Sequence, residues 1–312
     1  MNQHYDIIGD IHGHAATLKK LLHKLGYELT RDGFAHPAGR KVIYLGDFVD
    51  RGPEIREVLM IARKMVENKT ALAILGNHEV NALRYHTLVD GQPLRDHGPN
   101  KKHQHQATLD QLADPYPDEW QEWMGWLAGL PLSLDLGGLR VVHAAWDDAA
   151  IAEMRTVGRL EGKALEAYSR KDSPEHATIS TIINGPEAKL PDGQSFSAAD
   201  GARREEIRLQ WWRDLRGTTY REAVFPASDL IPELPMEDPG CRDYPVDAPP
   251  VFFGHYAVQA HEPASIRHNV ACLDYGMGKG GFLCAYRWDG EQEIRPEGFV
   301  RAFISENEEV IV

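Results

Sequence analysis

Gly46-Asp47-Phe48-Val49-Asp50-Arg51-Gly52 follows the apolar run Val42-Ile43-Tyr44-Leu45, so two carboxylates and a guanidinium stand where a buried strand opens into a glycine-bounded loop. Such a cluster calls for cations and anions together. One carboxylate can ligate a metal, the next can orient an acid or base, and the guanidinium can grip a phosphate oxygen with its fork of donors. Alone, the heptad also fits a surface turn with a local Asp50–Arg51 pair. What stands on either side decides between the two.

Upstream, Tyr5-Asp6-Ile7-Ile8 reads as a short buried strand that stops at Gly9-Asp10-Ile11-His12-Gly13. Ala15 to Leu25 then carries Leu18, Leu21, Leu22 and Leu25 at helical spacing and ends at Gly26. Downstream, Ile55 to Val66 reads as a second helix, opened by Pro53. Ala71 to Leu75 reads as a third strand, closed by Gly76-Asn77-His78-Glu79. Strand, polar loop and helix in repetition predict an α/β fold, a sheet covered by helices. Loops that follow successive strands gather at one sheet edge, so three sequence-distant loops become one candidate pocket.

Helices are expected near Gln104 to Leu112 and Asp118 to Leu127, the second with Trp120, Trp123 and Trp126 as a packing row. Leu132 to Leu136 and Leu139 to Ala144 read as paired strands around Gly137-Gly138, and the second ends at His143. From about 147 to 250 the chain is charged, with helical stretches expected at Ile151 to Ala167 and Ala202 to Leu215. This segment reads as an insertion that caps the pocket of a single domain spanning 1–312. Strands return at Val251 to His255, Val270 to Asp274 and Phe282 to Trp288, while Glu306 to Val312 reads as an edge strand or tail.

The polar residues at these strand ends are Asp10, His12, Asp47, Asp50, Asn77, His78, His143 and His255. Taken singly they are ordinary: His143 and His255 as core histidines, Asp10 as a helix cap, Asn77-His78 as a turn. Together they form a carboxylate, imidazole and amide set without thiolate, which suits manganese first and iron or zinc as alternatives. Two metals require a shared ligand, and Asp47 is the candidate bridge between Asp10 and His12 on one side and Asn77, His143 and His255 on the other. Two dications would make hydroxide from a bridging water near neutral pH. His78, oriented by Asp50, is placed to protonate the leaving oxygen, and Arg51 completes the phosphate clamp. His103 and His105, beside Lys101-Lys102, read as solvated.

The chain has 312 residues, 42% of them hydrophobic, enough for a large core. Its net charge of −13 argues against a broad nucleic-acid or anionic-membrane footprint. Cys241, Cys272 and Cys284 are too few and scattered for a disulfide framework or a zinc knuckle. No window approaches the roughly 18 apolar residues of a transmembrane helix, and Met1-Asn2-Gln3-His4-Tyr5 carries no leader pattern, so a cytoplasmic chain is expected.

Gly9-Asp10-Ile11-His12-Gly13, the central heptad and Gly76-Asn77-His78-Glu79, in that order, resemble the signature of the phosphoprotein phosphatase branch of the calcineurin-like metallophosphoesterases. The resemblance covers 4–80 and resumes at Leu139 to Ala145 and Val251 to Trp288. It implies a two-sheet β-sandwich flanked by helices and the ligand set above, with His78 and Asp50 as proton-donor pair and Arg51 as phosphate contact. It also implies a second phosphate-binding arginine, for which Arg213 in Trp211-Trp212-Arg213-Asp214 is the candidate. Ala144-Ala145-Trp146 departs from the glycines usual after the histidine of that motif. The sequence is similar to bacterial members that include small protein phosphatases and dinucleoside tetraphosphatases. A phosphomonoester, from a phosphoprotein or a small organic phosphate, is the expected substrate. A dinucleoside polyphosphate is the alternative, and a non-catalytic metal-bound scaffold the rival of another class. Trp211, Trp212, Arg203 and Arg204 would discriminate between the substrates.

Overall fold

The computed structural model describes residues 3–197, 203–241 and 243–304. Two sheets face each other. The larger is built on β1 (Tyr5–Ile8), β2 (Lys41–Tyr44) and β3 (Ala71–Ala73), which run parallel in that order. The smaller starts with β4 (Ser133–Asp135) and β5 (Arg140–Val142), an antiparallel pair. To β5 it adds β6 (Val251–Phe253) and then β7 (Val270–Cys272), both parallel. The chain then returns to the larger sheet through β8 (Asp274–Tyr275), β9 (Phe282–Trp288) and β10 (Phe299–Phe303). β9 runs antiparallel to β1, β8 and β10.

Alternation along the strands explains the two layers, because successive side chains point to opposite faces. Ile7 and Ile43 face Val141, Phe252 and Ala271 between the sheets, while Ile8, Val42 and Tyr44 face the helices. Those helices are α1 (Ala15–Lys24) and α2 (Ile55–Glu67). In α2, Ile55, Val58, Leu59, Ala62 and Met65 are buried, an apolar stripe at helical period. The expected two-sheet sandwich flanked by helices is the observed fold.

Three further helices follow β3 in the chain: α3 (Asn77–His86), α4 (Pro99–Thr108) and α5 (Pro117–Leu127). A π-turn at Leu109–Ala113 joins α4 towards α5, so the helix expected from Gln104 starts five residues earlier and changes pitch at its end. Trp120 and Trp123 are buried, in keeping with a packing row.

The connection between β5 and β6 has two parts. Helices α6 (Asp148–Met154), α7 (Gly162–Ser169) and α8 (Pro174–Asn184) place Ile151, Leu165 and Ile182 in the same core as α1 and α2. The expected helix Ile151 to Ala167 is therefore two helices, broken at Gly158 and Gly162, both at positive φ. Beyond α8, Leu190, Ile207, Leu209, Leu215 and Ile231 form a small core of their own. The helix expected at Ala202 to Leu215 is not formed: Arg203–Arg204 and Glu206–Arg208 are strands. Ile207 and Leu209 are buried while Glu206 is exposed and Arg208 half-buried, a period of two that the run of charges obscures. Glu306 to Val312 lies outside the described residues.

One buried ion cluster ties the start of the chain to its end. Asp6 on β1 is fully buried. It accepts from Arg40 Nη2 and Nε at 2.9 and 3.0 Å, from Arg287 Nε at 3.1 Å and from Tyr27 Oη at 2.9 Å. Removing one partner of such a cluster strands buried charge. Asp6→Asn is expected to lower stability by about 3–5 kcal/mol, read as a shift of the urea midpoint. A loss below about 1 kcal/mol would mean that the guanidinium groups find water instead.

Candidate active site

The loops that leave β1, β2 and β3 meet, and a glutamate holds two of them together. The Glu79 carboxylate, fully buried in the first turn of α3, accepts from the backbone N–H of Asp47, Phe48, Val49 and Gly76 at 2.7–3.1 Å. Burial, reinforced by the Asp47 charge, pushes its carboxyl up to about 7 against the pull of those donors. The loop backbone is strained where it turns, with φ of 51° at Asp47, 68° at Asp50 and 72° at Arg51. Gly76 leaves room for the approach: a Cβ there would lie 2.2 Å from Asp47 Oδ1.

Asp47 is the centre of the cluster. His12 Nε2 lies 3.5 Å from its Oδ2, and His143 Nε2 lies 3.4 Å from its Oδ1. Asn77 Oδ1 stands 3.0 Å from His143 Nε2 and 3.1 Å from His255 Nδ1. Asp10 Oδ2 accepts the His255 backbone N–H at 3.0 Å. His12, Asp47 and His78 form one group able to hold a cation, and Asp10, Asp47 and His143 a second, with Asp47 common to both.

The protonation pattern fits cations. His12 Nδ1 is 3.1 Å from the Val49 carbonyl and His143 Nδ1 is 2.7 Å from the Leu45 carbonyl, so each Nδ1–H has an acceptor. With Nδ1 as the protonated nitrogen, each Nε2 lone pair faces an oxygen acceptor. That arrangement is repulsive unless a positive charge lies between. Burial, with help from the His78 charge, lowers His12 to about 3, so its ring is neutral. Burial and the Arg208 charge hold His255 well below its ordinary value. Burial would raise Asp47, but His143, His78 and His12 outweigh it and bring the carboxyl to about 2. Asp10 is raised well above its usual range by burial and by Asp274 and Asp47. Asp10 Oδ1 and His255 Nε2 are buried with no hydrogen-bond partner among the described residues, two orphaned atoms able to ligate a cation at the cluster.

Beside this cluster, His78 Nδ1 lies 2.5 Å from Asp50 Oδ2, and its Nε2 lies 3.4 Å from Arg51 Nη2. Burial opposes a charge on His78, yet Asp47 and Asp50 prevail and raise it. Asp50 is also pushed up by burial, but hydrogen bonds from His105 and His78 hold it well below the carboxylate range. His105 corrects the sequence reading. It is buried, not solvated like its exposed neighbour His103, and lies 2.7 Å from Asp50 Oδ1. The signal was the stripe His105, Thr108, Leu109 and Leu112, which keeps helical spacing through a stretch dominated by charge.

A cavity of about 1170 Å³ opens from the cluster. Arg95 and Gln104 line one side, and Phe196, Arg204, Arg208 and Phe225 the other. Arg213 is not among the lining residues; its guanidinium meets Gln210 Oε1 at 3.5 Å. The turn that carries it follows a strand, not the expected helix, and the arginines of this strand segment that line the cavity are Arg204 and Arg208, the latter 3.3 Å from the His255 carbonyl. Trp211 and Trp212 are buried against Phe253 rather than facing the cavity, and Arg203 is exposed outside it. Of the four residues expected to discriminate substrates, Arg204 alone lines this cavity.

Residues 4–259 match the calcineurin-like phosphoesterase family. The chain belongs to that family. It is a metallophosphoesterase, a metal-binding hydrolase of phosphoric esters. Over 81 residues this phosphoesterase is 46% identical to the asymmetrical bis(5'-nucleosyl)-tetraphosphatase PrpE of Halalkalibacterium halodurans, covering 26% of the chain and 33% of the relative. Over 93 residues it is 41% identical to the protein of that name from Oceanobacillus iheyensis, covering 30% and 36%. The matched stretch is thus about a third of each relative's own length. A protein serine/threonine phosphatase of Saccharomyces cerevisiae shares the fold, with a TM-score of 0.50 at 12% identity over 98% of this chain and 82% of that one. Among the described residues, no helix is long and apolar enough to cross a membrane.

Proposed function

We propose that this phosphoesterase cleaves dinucleoside polyphosphates, in preference to the phosphomonoesters that its sequence first suggests. The observation that carries this reading is the room beyond the cluster. A cavity of about 1170 Å³ exceeds what a phosphate monoester fills, since pockets for whole drug-sized ligands run to about 300–1000 Å³. Its lining carries Arg208 beside His255 and, in addition, Arg204 as a cation for further phosphates and Phe196 and Phe225 as apolar faces for bases. The relatives named bis(5'-nucleosyl)-tetraphosphatase support the same reading.

In this reading the chain is one domain, with the lobe from about 187 to 236 as its cap. Asp10, His12 and Asp47 would hold one divalent cation, and Asp47, Asn77, His143 and His255 a second, with manganese the first choice. Such a pair would supply Lewis acidity, lowering the pKa of water so that hydroxide is available near neutral pH, and would neutralise phosphate oxygens. The chain does the rest. Arg51 binds the phosphoryl oxygens, and Arg208 takes the part expected of Arg213. As the P–O bond breaks, its electron pair goes to the leaving oxygen, and His78 Nε2 delivers a proton there while Asp50 holds Nδ1–H.

With manganese present, kcat/KM for diadenosine tetraphosphate is expected to exceed that for a phosphoserine peptide by at least about tenfold. The reverse order would return the enzyme to the phosphomonoesterases. Metal analysis is expected to find two ions per chain, and chelation to stop p-nitrophenyl phosphate hydrolysis until manganese is restored. Fewer than two ions, or no response to manganese, would favour a scaffold that does not catalyse.

A further inference from the structure

Asp50 has more partners than a simple donor pair requires. Its Oδ2 faces His78 Nδ1 at 2.5 Å, while its Oδ1 accepts from Thr108 Oγ1 at 2.5 Å and from His105 Nδ1 at 2.7 Å. The Asp50 backbone N–H in turn donates to Thr108 Oγ1 at 3.0 Å. His105 and Thr108 lie three residues apart on α4 and so share a face, and both are buried. Behind them, His86 Nε2 lies 3.0 Å from His105 Nε2, with the two rings edge to face at 5.2 Å. The rings of Tyr85 and Trp120 close around this pair.

A carboxylate turns easily about its last torsion, which has a broad profile. One bond to His78 would leave Asp50 free to swing. Two donors on the opposite oxygen remove that freedom. His105 keeps its Nδ1–H on Asp50, so its Nε2 is left to accept from His86, and this fixes the tautomer of both rings. We infer that His105 is a positioning residue which, backed by His86 and paired with Thr108, locks Asp50 onto His78 and so aims the proton that His78 delivers. The orientation of the proton donor thus depends on α4, a helix outside the three strand-end loops. This inference rests on the assignment of His78 as proton donor, and its test separates the two.

The test compares phenyl phosphate, a poor leaving group, with 2,4-dinitrophenyl phosphate, a good one, using the manganese-loaded enzyme. His105→Phe is expected to lower kcat for phenyl phosphate by about 10–100-fold, the reach of one hydrogen bond to a charged group. KM, metal content and turnover of the dinitrophenyl ester should change little. His105→Asn, whose amide N–H can occupy the place of Nδ1–H, should recover most of the loss. In a His78→Asn background, His105→Phe should add nothing. Thr108→Val should give a smaller loss with the same leaving-group preference, and it serves as the second probe if His105→Phe does not fold. Equal slowing of both esters by His105→Phe, or its full effect on top of a leaving-group-selective His78→Asn, would overturn the inference and make His105 a packing residue. If His78→Asn itself slowed both esters alike, the proton-donor assignment would fall, and this inference with it.

Discussion

Asp47→Asn is expected to abolish hydrolysis, by at least about 10³-fold, and to reduce bound metal in the same purified protein. The reason is the position of Asp47 between two donor groups. Each carboxylate oxygen faces a different histidine, Oδ2 towards His12 and Oδ1 towards His143. An amide keeps one oxygen and turns an N–H toward the other lone pair, so one of the two groups meets a donor where it needs an acceptor. Oδ1 also accepts the His78 backbone N–H at 3.0 Å, so the substitution disturbs the start of α3 as well. Elemental analysis and turnover measured on one sample check the outcome. Full activity with a full metal complement would remove Asp47 from the bridging position.

The second large effect is selective. His78→Asn is expected to leave the metal content intact and to slow substrates with an alkoxide leaving group by about 10²–10⁴-fold, those with p-nitrophenolate much less. His78 reaches the His12–Asp47 group, but its Nε2 stands 4.0 Å from Asp47 Oδ2 and faces Arg51, while its Nδ1 is held at 2.5 Å by Asp50. Its work is therefore the proton, and the need for a proton grows with the basicity of the departing oxygen. A polyphosphate chain leaves readily. For the proposed substrate the loss should lie nearer the p-nitrophenyl value than the alkyl one. Equal losses on every substrate would take the proton transfer away from His78.

Much of this was legible in the sequence because strand ends are marked twice, by an apolar run and by the glycine that stops it. Ile7-Ile8 before Gly9 and Leu75 before Gly76 fixed where the loops begin, and the charged residues of those loops came together in the structure. What was not legible follows from the same physics. Asp50 needed partners from α4, but His105 follows Lys101 and Lys102, and a charged run reads as solvated until its helical stripe is traced. Arg208 and Arg213 are both basic residues near tryptophans. Only the two-residue period of Ile207 and Leu209 shows that a strand, not a helix, decides which arginine reaches the cavity. Glu79 looked like the tail of a motif, and its four backbone donors come from two loops separated by about thirty residues in the chain.

The lobe beside the cavity has a small apolar core of its own. Leu190, Leu209, Tyr220 and Met236 cluster apart from the two main cores, while Arg204 and Arg208 on the same lobe face the substrate space. The lobe's small core and the packing behind the candidate metal-facing loops are therefore separate, and they are joined through Trp211, Trp212 and Phe225, which pack in the main core against Phe253 and Tyr256. Changes within the small core can accumulate without loosening those loops, whereas a change at this aromatic joint reaches both. A lineage could exchange or remodel this lobe and acquire a new phosphate to cleave while every metal-facing side chain stayed where it was.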